Sequence, residues 1–147
     1  MSRKYQVATE INAPASTVWG IVSDLESWKD WNRLNPGAAG TPVVGKTLTL
    51  NTLAAPNKIS SAQAKVIEYE PGQTIRWTGG IPIPGLYRIE HWFCVEPVDE
   101  NTSRVIHGEV HRGLLVSVIL KPFGNDFERY YRDTNTALKA LAEEGAT

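Results

Sequence analysis

The sequence predicts an α+β fold, and three observations carry that prediction. Residues 4–12 alternate apolar and polar side chains with the period of a strand. The stretch from Gly37 to Arg112 is a series of short β-rich runs broken by turn residues. After Pro122 the apolar spacing becomes helical. A chain of 147 residues that is 41% hydrophobic lies well above disordered compositions. A domain of this size buries roughly 68–70% of the surface its unfolded chain exposes. No repeat, low-complexity tract or linker divides it, so residues 1–147 are expected to form one domain.

In the first strand Tyr5, Val7 and Ile11 share one face. Ala13-Pro14 ends it, and Pro14 suits a first helical turn. Val18, Trp19, Val22 and Leu25 then recur at three- and four-residue spacing, predicting a helix over about 15–24. Trp28 and Trp31, three apart, share one face of a second short helix that stops before Asn35-Pro36-Gly37. Antiparallel strands are expected at 46–54, 60–69, 73–79, 86–97 and 103–112, with a short one near 37–43. Pro71-Gly72 and Asp99–Thr102 read as hairpin turns, and the Gly- and Pro-rich segment 79–85 reads as a loop at a cavity mouth. Phe123, Phe127, Tyr130, Tyr131, Thr134, Leu138 and Leu141 form one stripe of a C-terminal helix of about twenty residues ended by Gly145. The sheet is the surface on which that stripe must lie, giving the order strand, two helices, meander, long helix.

Fifteen basic against sixteen acidic residues leave a net charge of −1, without the counterion-release drive of general nucleic-acid binding; nucleic acid is not an expected partner. Cys94 is the single cysteine, so no intramolecular disulfide forms, and a reducing compartment fits. The N-terminus lacks the apolar stretch of a secretory signal. The longest oily run, Leu114–Leu120, falls far short of the ~20 residues that span a bilayer. A cytoplasmic protein with no membrane insertion is expected, as monomer or homodimer. With no G-x-G-x-x-G or Walker loop, no nucleotide cofactor is indicated. Ser117 lacks a nucleophile elbow and Cys94 alternates away from His91. His107 and His111 lie about 13 Å apart along a strand at ~3.3 Å per residue, too far for one ion without a bend, so no metal and no cofactor are expected.

The order and spacing of several motifs resemble one family. They are Ile11-Asn12-Ala13-Pro14 with Val18-Trp19, Asp24-Leu25 with Trp28 and Trp31, and Gly45 before Leu48. Glu70-Pro71, Ile75-Arg76-Trp77, His91-Trp92-Phe93 and Glu96-Pro97 follow, then His107-Gly108-Glu109 with Gly113-Leu114-Leu115, and a terminal helix bearing Tyr130, Asn135 and Leu138. Over nearly the whole chain they resemble the Bet v 1-like, START-related (SRPBCC) superfamily, in its bacterial polyketide cyclase/dehydrase-like group. The resemblance implies a helix-grip fold: a curved antiparallel sheet of about six or seven strands wraps the long C-terminal helix, two short helices close one end, and a cavity lies between sheet and helix. Such a fold hosts carriers, receptors, cyclases and hydrolases, so function must come from the site.

His91 shares a strand face with Tyr87, Ile89, Phe93 and Val95 and is expected to point inward. A buried structural histidine, a ligand contact and a general acid/base are all open to it. Whether Glu109 joins it depends on hairpin register. With Val98 opposite Ser103, His91 faces Val110 and Glu109 points outward. With a turn one residue longer, His91 faces His111, and His107, Glu109 and His111 all point inward. The polar strip favours the first arrangement, whereas the resemblance favours Glu109 near His91. Trp31 and Trp77 either fill core or line the cavity entrance, and Phe127, Tyr130 and Tyr131 either pack the core or line the cavity with their hydroxyls as anchors. The leading expectation is binding of a small hydrophobic ligand (lipid, fatty acid or polycyclic aromatic) by Trp31, Trp77, Tyr87, His91, Phe93, Phe127, Tyr130 and Tyr131. The alternative is a cyclase/dehydratase- or hydrolase-like enzyme with His91 as acid/base and Glu109 orienting it.

Overall fold

The computed structural model describes residues 1–145. Strand β1 (Ser2–Ile11) is followed by α1 (Ala15–Val22), a 3-10 turn at Leu25–Ser27 and α2 (Trp28–Trp31). The meander then runs β2 (Ala38–Ala39), β3 (Thr47–Ala55), β4 (Lys58–Glu70), β5 (Thr74–Ile81), β6 (Tyr87–Asp99) and β7 (Thr102–Arg112). Helix α3 (Val116–Leu120), a 3-10 turn at Lys121–Phe123 and α4 (Glu128–Gly145) complete the order. The seven strands make one antiparallel sheet in the order β1-β7-β6-β5-β4-β3-β2. This is the helix-grip α+β arrangement, with both short helices after the first strand.

Curvature has a local cause. Register shifts place an extra residue at Ala54, Ile67 and Val98, and each such bulge bends its strand and increases twist. The concave face so formed buries Leu48, Leu50, Ala64, Val66, Ile75, Trp77, Phe93, Val95 and Val105. Val18, Val22, Trp28 and Trp31 close one end, and Leu138 and Ala142 of α4 join the same cluster. A second cluster, Leu34, Val116, Leu120, Phe127 and Tyr131, lies apart from it.

Three expectations are corrected. The 79–85 segment is not wholly loop: β5 continues through Gly79 and Gly80 to Ile81, pairing with Ile89, Arg88 and Tyr87. Gly80 has φ 132, and a Cβ there would strike the Tyr87 carbonyl, so a breaker residue here permits close strand pairing. The C-terminal helix begins at Glu128, because Gly124 at φ 66 breaks the apolar stripe after the Lys121–Phe123 turn. The oily run Leu114–Leu120, to which the sequence assigned no element, ends in α3, which buries Val116 and Leu120 and exposes Val118, while Leu114 ahead of it is also exposed. Finally, the β6–β7 register is neither of the two anticipated: Asp99 pairs Thr102, Val98 bulges, and Pro97 pairs Ser103.

Candidate functional site

The Val98 bulge decides which residues meet inside. It sets His91 opposite Glu109, Phe93 opposite His107 and Ile89 opposite His111. His107, Glu109 and His111 therefore all point to the concave side beside His91, and all four are buried. A cavity of about 670 Å³ opens onto His91, Glu109 and His111. Its walls are mostly apolar, with Leu50, Ala64, Trp77, Ile89, Leu120 and Phe127 among them, and Tyr87, His91, Glu109 and His111 converge at one place. An apolar pocket with a few convergent polar groups is the usual form of a small-molecule site.

Those groups form one connected chain across the floor. The Tyr87 hydroxyl is 2.7 Å from His111 Nδ1. His111 Nε2 lies 3.0 Å from Glu109 Oε1. Glu109 Oε2 pairs directly with His91 Nδ1. His91 Nε2 is 2.6 Å from His107 Nε2, and His107 Nδ1 is 3.1 Å from Asn135 Oδ1 on α4. Trp77 stacks on the His91 ring at 4.4 Å and 11°, and Phe93 stacks on His107 at 4.0 Å and 15°. The strands thus supply the titratable groups, and flat aromatic neighbours fix the ring planes.

The electrostatics follow from burial and pairing. Burial alone would raise the Glu109 carboxyl, but His91 and His111 outweigh it and hold Glu109 far below the usual carboxylate range. Burial, reinforced by His91, keeps His107 well below the ordinary histidine value. Burial and then the Glu109 charge push the Tyr87 and Tyr131 hydroxyls up. The floor is therefore a carboxylate between two imidazoles, with neutral phenols beside it.

Among the ligand residues anticipated from sequence, Trp77, Tyr87, His91 and Phe127 line the cavity. Trp31 does not: it is buried against Trp28 and Phe93, and its indole N–H donates to Ser27 Oγ at 2.9 Å. Phe93 and Tyr131 are buried behind the floor, against His107. Tyr130 packs on Phe123 and Phe127, with the Arg129 guanidinium 5.3 Å from its ring, outside the lining. His107, His111 and Asn135 were not anticipated as site residues. Asn135 carried a signal, being a polar residue between Tyr131 and Leu138 on the buried helix stripe. Among the described residues, no group of three His, Cys, Asp or Glu side chains is arranged to hold a metal ion.

Fold and site together define a helix-grip protein whose apolar cavity ends on a buried acid–base chain. The chain belongs to the family described as polyketide cyclase / dehydrase and lipid transport, which it matches over residues 2–143. Its fold is similar to that of the Zhui aromatase/cyclase from Streptomyces sp. R1128, with TM-score 0.80 and 13% identity over 100% of this chain and 97% of that one. It is similar to the di-domain ARO/CYC BexL from the BE-7585A biosynthetic pathway, with TM-score 0.73 and 17% identity over 96% of this chain and 46% of that one. It is also similar to a norcoclaurine synthase point mutant of Thalictrum flavum, with TM-score 0.68 and 15% identity over 100% and 98%. A 34-residue stretch is 53% identical to oxopyrrolidines biosynthesis cluster protein O of Penicillium oxalicum, covering 23% of this chain and 17% of that protein's length. At these identities the structural likenesses speak for the fold. None of the described helices is long and apolar enough to cross a membrane.

Proposed function

We propose that the cavity binds a largely apolar small molecule bearing a carbonyl or hydroxyl group, and that the His91–Glu109 pair performs general acid/base chemistry on it, of the cyclisation or dehydration type. The observation that carries this reading is the ionised Glu109 held between His91 and His111 at the floor of an apolar cavity. Burying such a group is costly, and binding an apolar ligand does not require it. Catalytic acids and bases, by contrast, are tuned by burial and neighbouring charge. The family description and the cyclases among the structures of similar fold support the same reading.

The chemistry balances within the pair. Loss of water from a β-hydroxy ketone needs one proton delivered to the departing hydroxyl and one removed from the carbon between it and the carbonyl. A protonated His91 supplies the first, the His91–Glu109 pair takes up the second, and the pair returns to its starting state. The apolar walls hold the carbon skeleton and exclude water, which strengthens these interactions.

Two measurements test the reading. Native mass spectrometry of the purified protein, compared with a denatured extract, reports a retained ligand. Titration with a fluorescent naphthyl ketone, followed by incubation with an aryl β-hydroxy ketone, reports binding and enone formation. Saturable binding with enone formation that is lost in Glu109→Gln is the expected result. Binding without conversion of any β-hydroxy ketone leaves a carrier and overturns the catalytic part. Absence of saturable binding overturns both parts.

A further inference from the structure

The hydrogen-bond chain determines where its protons are. Asn135 Nδ2 donates to the Val7 carbonyl at 3.4 Å and to Thr9 Oγ1 at 3.1 Å. A carbonyl only accepts, so the amide orientation is fixed and Asn135 Oδ1 faces His107 as an acceptor. His107 Nδ1 must therefore carry a proton. His107 is wholly buried and held neutral, so its Nε2 bears a lone pair. That lone pair is 2.6 Å from His91 Nε2, which must donate.

The other nitrogen of His91 then faces Glu109 Oε2. A neutral His91 with its proton on Nε2 would direct a lone pair at a carboxylate, which is repulsive. One more proton is required between His91 and Glu109. Glu109 is also approached by His111 Nε2 at 3.0 Å, and the Tyr87 hydroxyl lies 2.7 Å from His111 Nδ1; a proton on Nε2, facing the carboxylate, leaves Nδ1 to accept from that hydroxyl. A carboxylate met by two ring nitrogens stays ionised, so the extra proton resides on His91. The groups facing His91 are Glu109 and His107 from β7, Trp77 from β5 and Tyr131 from α4; Glu109 is the one anion among them.

We propose that His107 is a positioning residue: as an obligate acceptor clamped by Asn135, it holds His91 in the doubly protonated form and so keeps a transferable proton at the cavity floor. His91 and Glu109 line the cavity, whereas His107 and Asn135 do not, so His107 acts through His91 and not on a ligand. This deepens the acid/base reading, but its test needs no substrate.

The test is ¹⁵N NMR of the three imidazoles in the full chain near pH 7, in wild type and two variants. In wild type, His91 is expected to show protons on both nitrogens, His107 on Nδ1 only and His111 on Nε2 only. His107→Phe preserves the stack on Phe93 but removes the acceptor, and losing a hydrogen bond to a charged group shifts protonation on the order of tenfold or more. His91 is then expected to become neutral with its proton on Nδ1. His107→Gln offers an amide oxygen at the same place and is expected to restore the Nε2 proton. A wild-type His91 that is neutral at pH 7, or a His91 unchanged in His107→Phe, overturns the proposal, and the wild-type spectrum decides even if a variant fails to fold. Failure of turnover with these proton positions intact counts against the acid/base reading and not against the proton assignment.

Discussion

His91 and Glu109 stand directly opposite each other on β6 and β7, and their side chains pair at the floor of the cavity. The pair makes Glu109→Gln the most informative single substitution. Gln keeps the shape but cannot stabilise an imidazolium, so His91 loses the proton it is proposed to deliver. Positioned general acid/base groups contribute about 10²–10⁴-fold, and turnover is expected to fall by that order while affinity for an apolar ligand changes less than about tenfold. Glu109→Leu is expected to cost more stability, about 3–5 kcal/mol, since it strands a buried charge on its partners. Parallel kinetics, ligand titration and thermal melts separate these effects. Equal loss of affinity and turnover would make Glu109 a binding group only.

Ala64 tests the cavity itself. It is buried on β4 and forms part of the wall, where a larger side chain has open space to enter. Ala64→Phe is expected to lower affinity for a naphthyl ketone at least tenfold, about 1.4 kcal/mol. Its melting temperature should stay within a few degrees of wild type, because the ring fills cavity and does not displace packed neighbours. Unchanged affinity in a folded Ala64→Phe would place the ligand elsewhere.

The meander was legible in the sequence because one face of the sheet is buried, which imposes period-two alternation on strands such as Thr47–Ala55 and Thr74–Ile81. The site was less legible. In Val105, His107, Glu109 and His111, alternation shows that these residues share a face but not which face. The bulge at Val98 decides that. The Asn101 amide bonds Asp99 Oδ1 at 2.8 Å, tightening the turn, and Pro97 has no N–H to give the ladder. Neither signal counts residues across the hairpin, and the observed register, with His91 opposite Glu109, lies one residue from the first alternative and two from the second. Likewise Phe123 and Phe127 have helical spacing with Tyr130, yet Gly124 separates them into different local structures that still converge on one cluster.

The convex face supplies a control remote from the cavity. Trp92 lies across Gly108, where an added Cβ would sit 2.6 Å from the indole ring, and the Arg76 guanidinium and Lys4 ammonium lie 4.7 and 5.6 Å from that ring. Gly108→Ala must displace the indole and disturb both cation–π contacts. It is expected to cost about 1–3 kcal/mol, or several degrees in melting temperature for a chain of this size. Ligand affinity measured below the melt is expected to stay at the wild-type value, because Trp92 and Gly108 do not line the cavity. A large affinity loss in that variant would show that the sheet's curvature, and not only its inner residues, sets the site.

The same buried chain shapes the pH dependence of stability. Burial, reinforced by His91, keeps His107 unprotonated in the native state, whereas the unfolded histidine takes a proton near 6.5. The unfolded state therefore binds more protons below that pH, and stability falls by up to about 1.4 kcal/mol per pH unit for this one group. Burial opposes ionisation of Glu109, but His91 and His111 prevail and lower its value, so its contribution is present above the unfolded value of 4.5 and declines as pH falls below it. Tyr87 and Tyr131 act at the other end: burial and then Glu109 raise them above 10, so their contribution is complete below that pH and is lost as pH rises beyond it. Urea midpoints are expected to fall as pH drops below about 6.5 and again as it rises past about 10. His107→Phe is expected to leave the alkaline limb intact, because Tyr87 and Tyr131 are retained. A wild-type midpoint that stays level from pH 8 down to about pH 5 would mean that His107 takes up its proton in the folded protein, and the acceptor role assigned to its Nε2 would fall with that result.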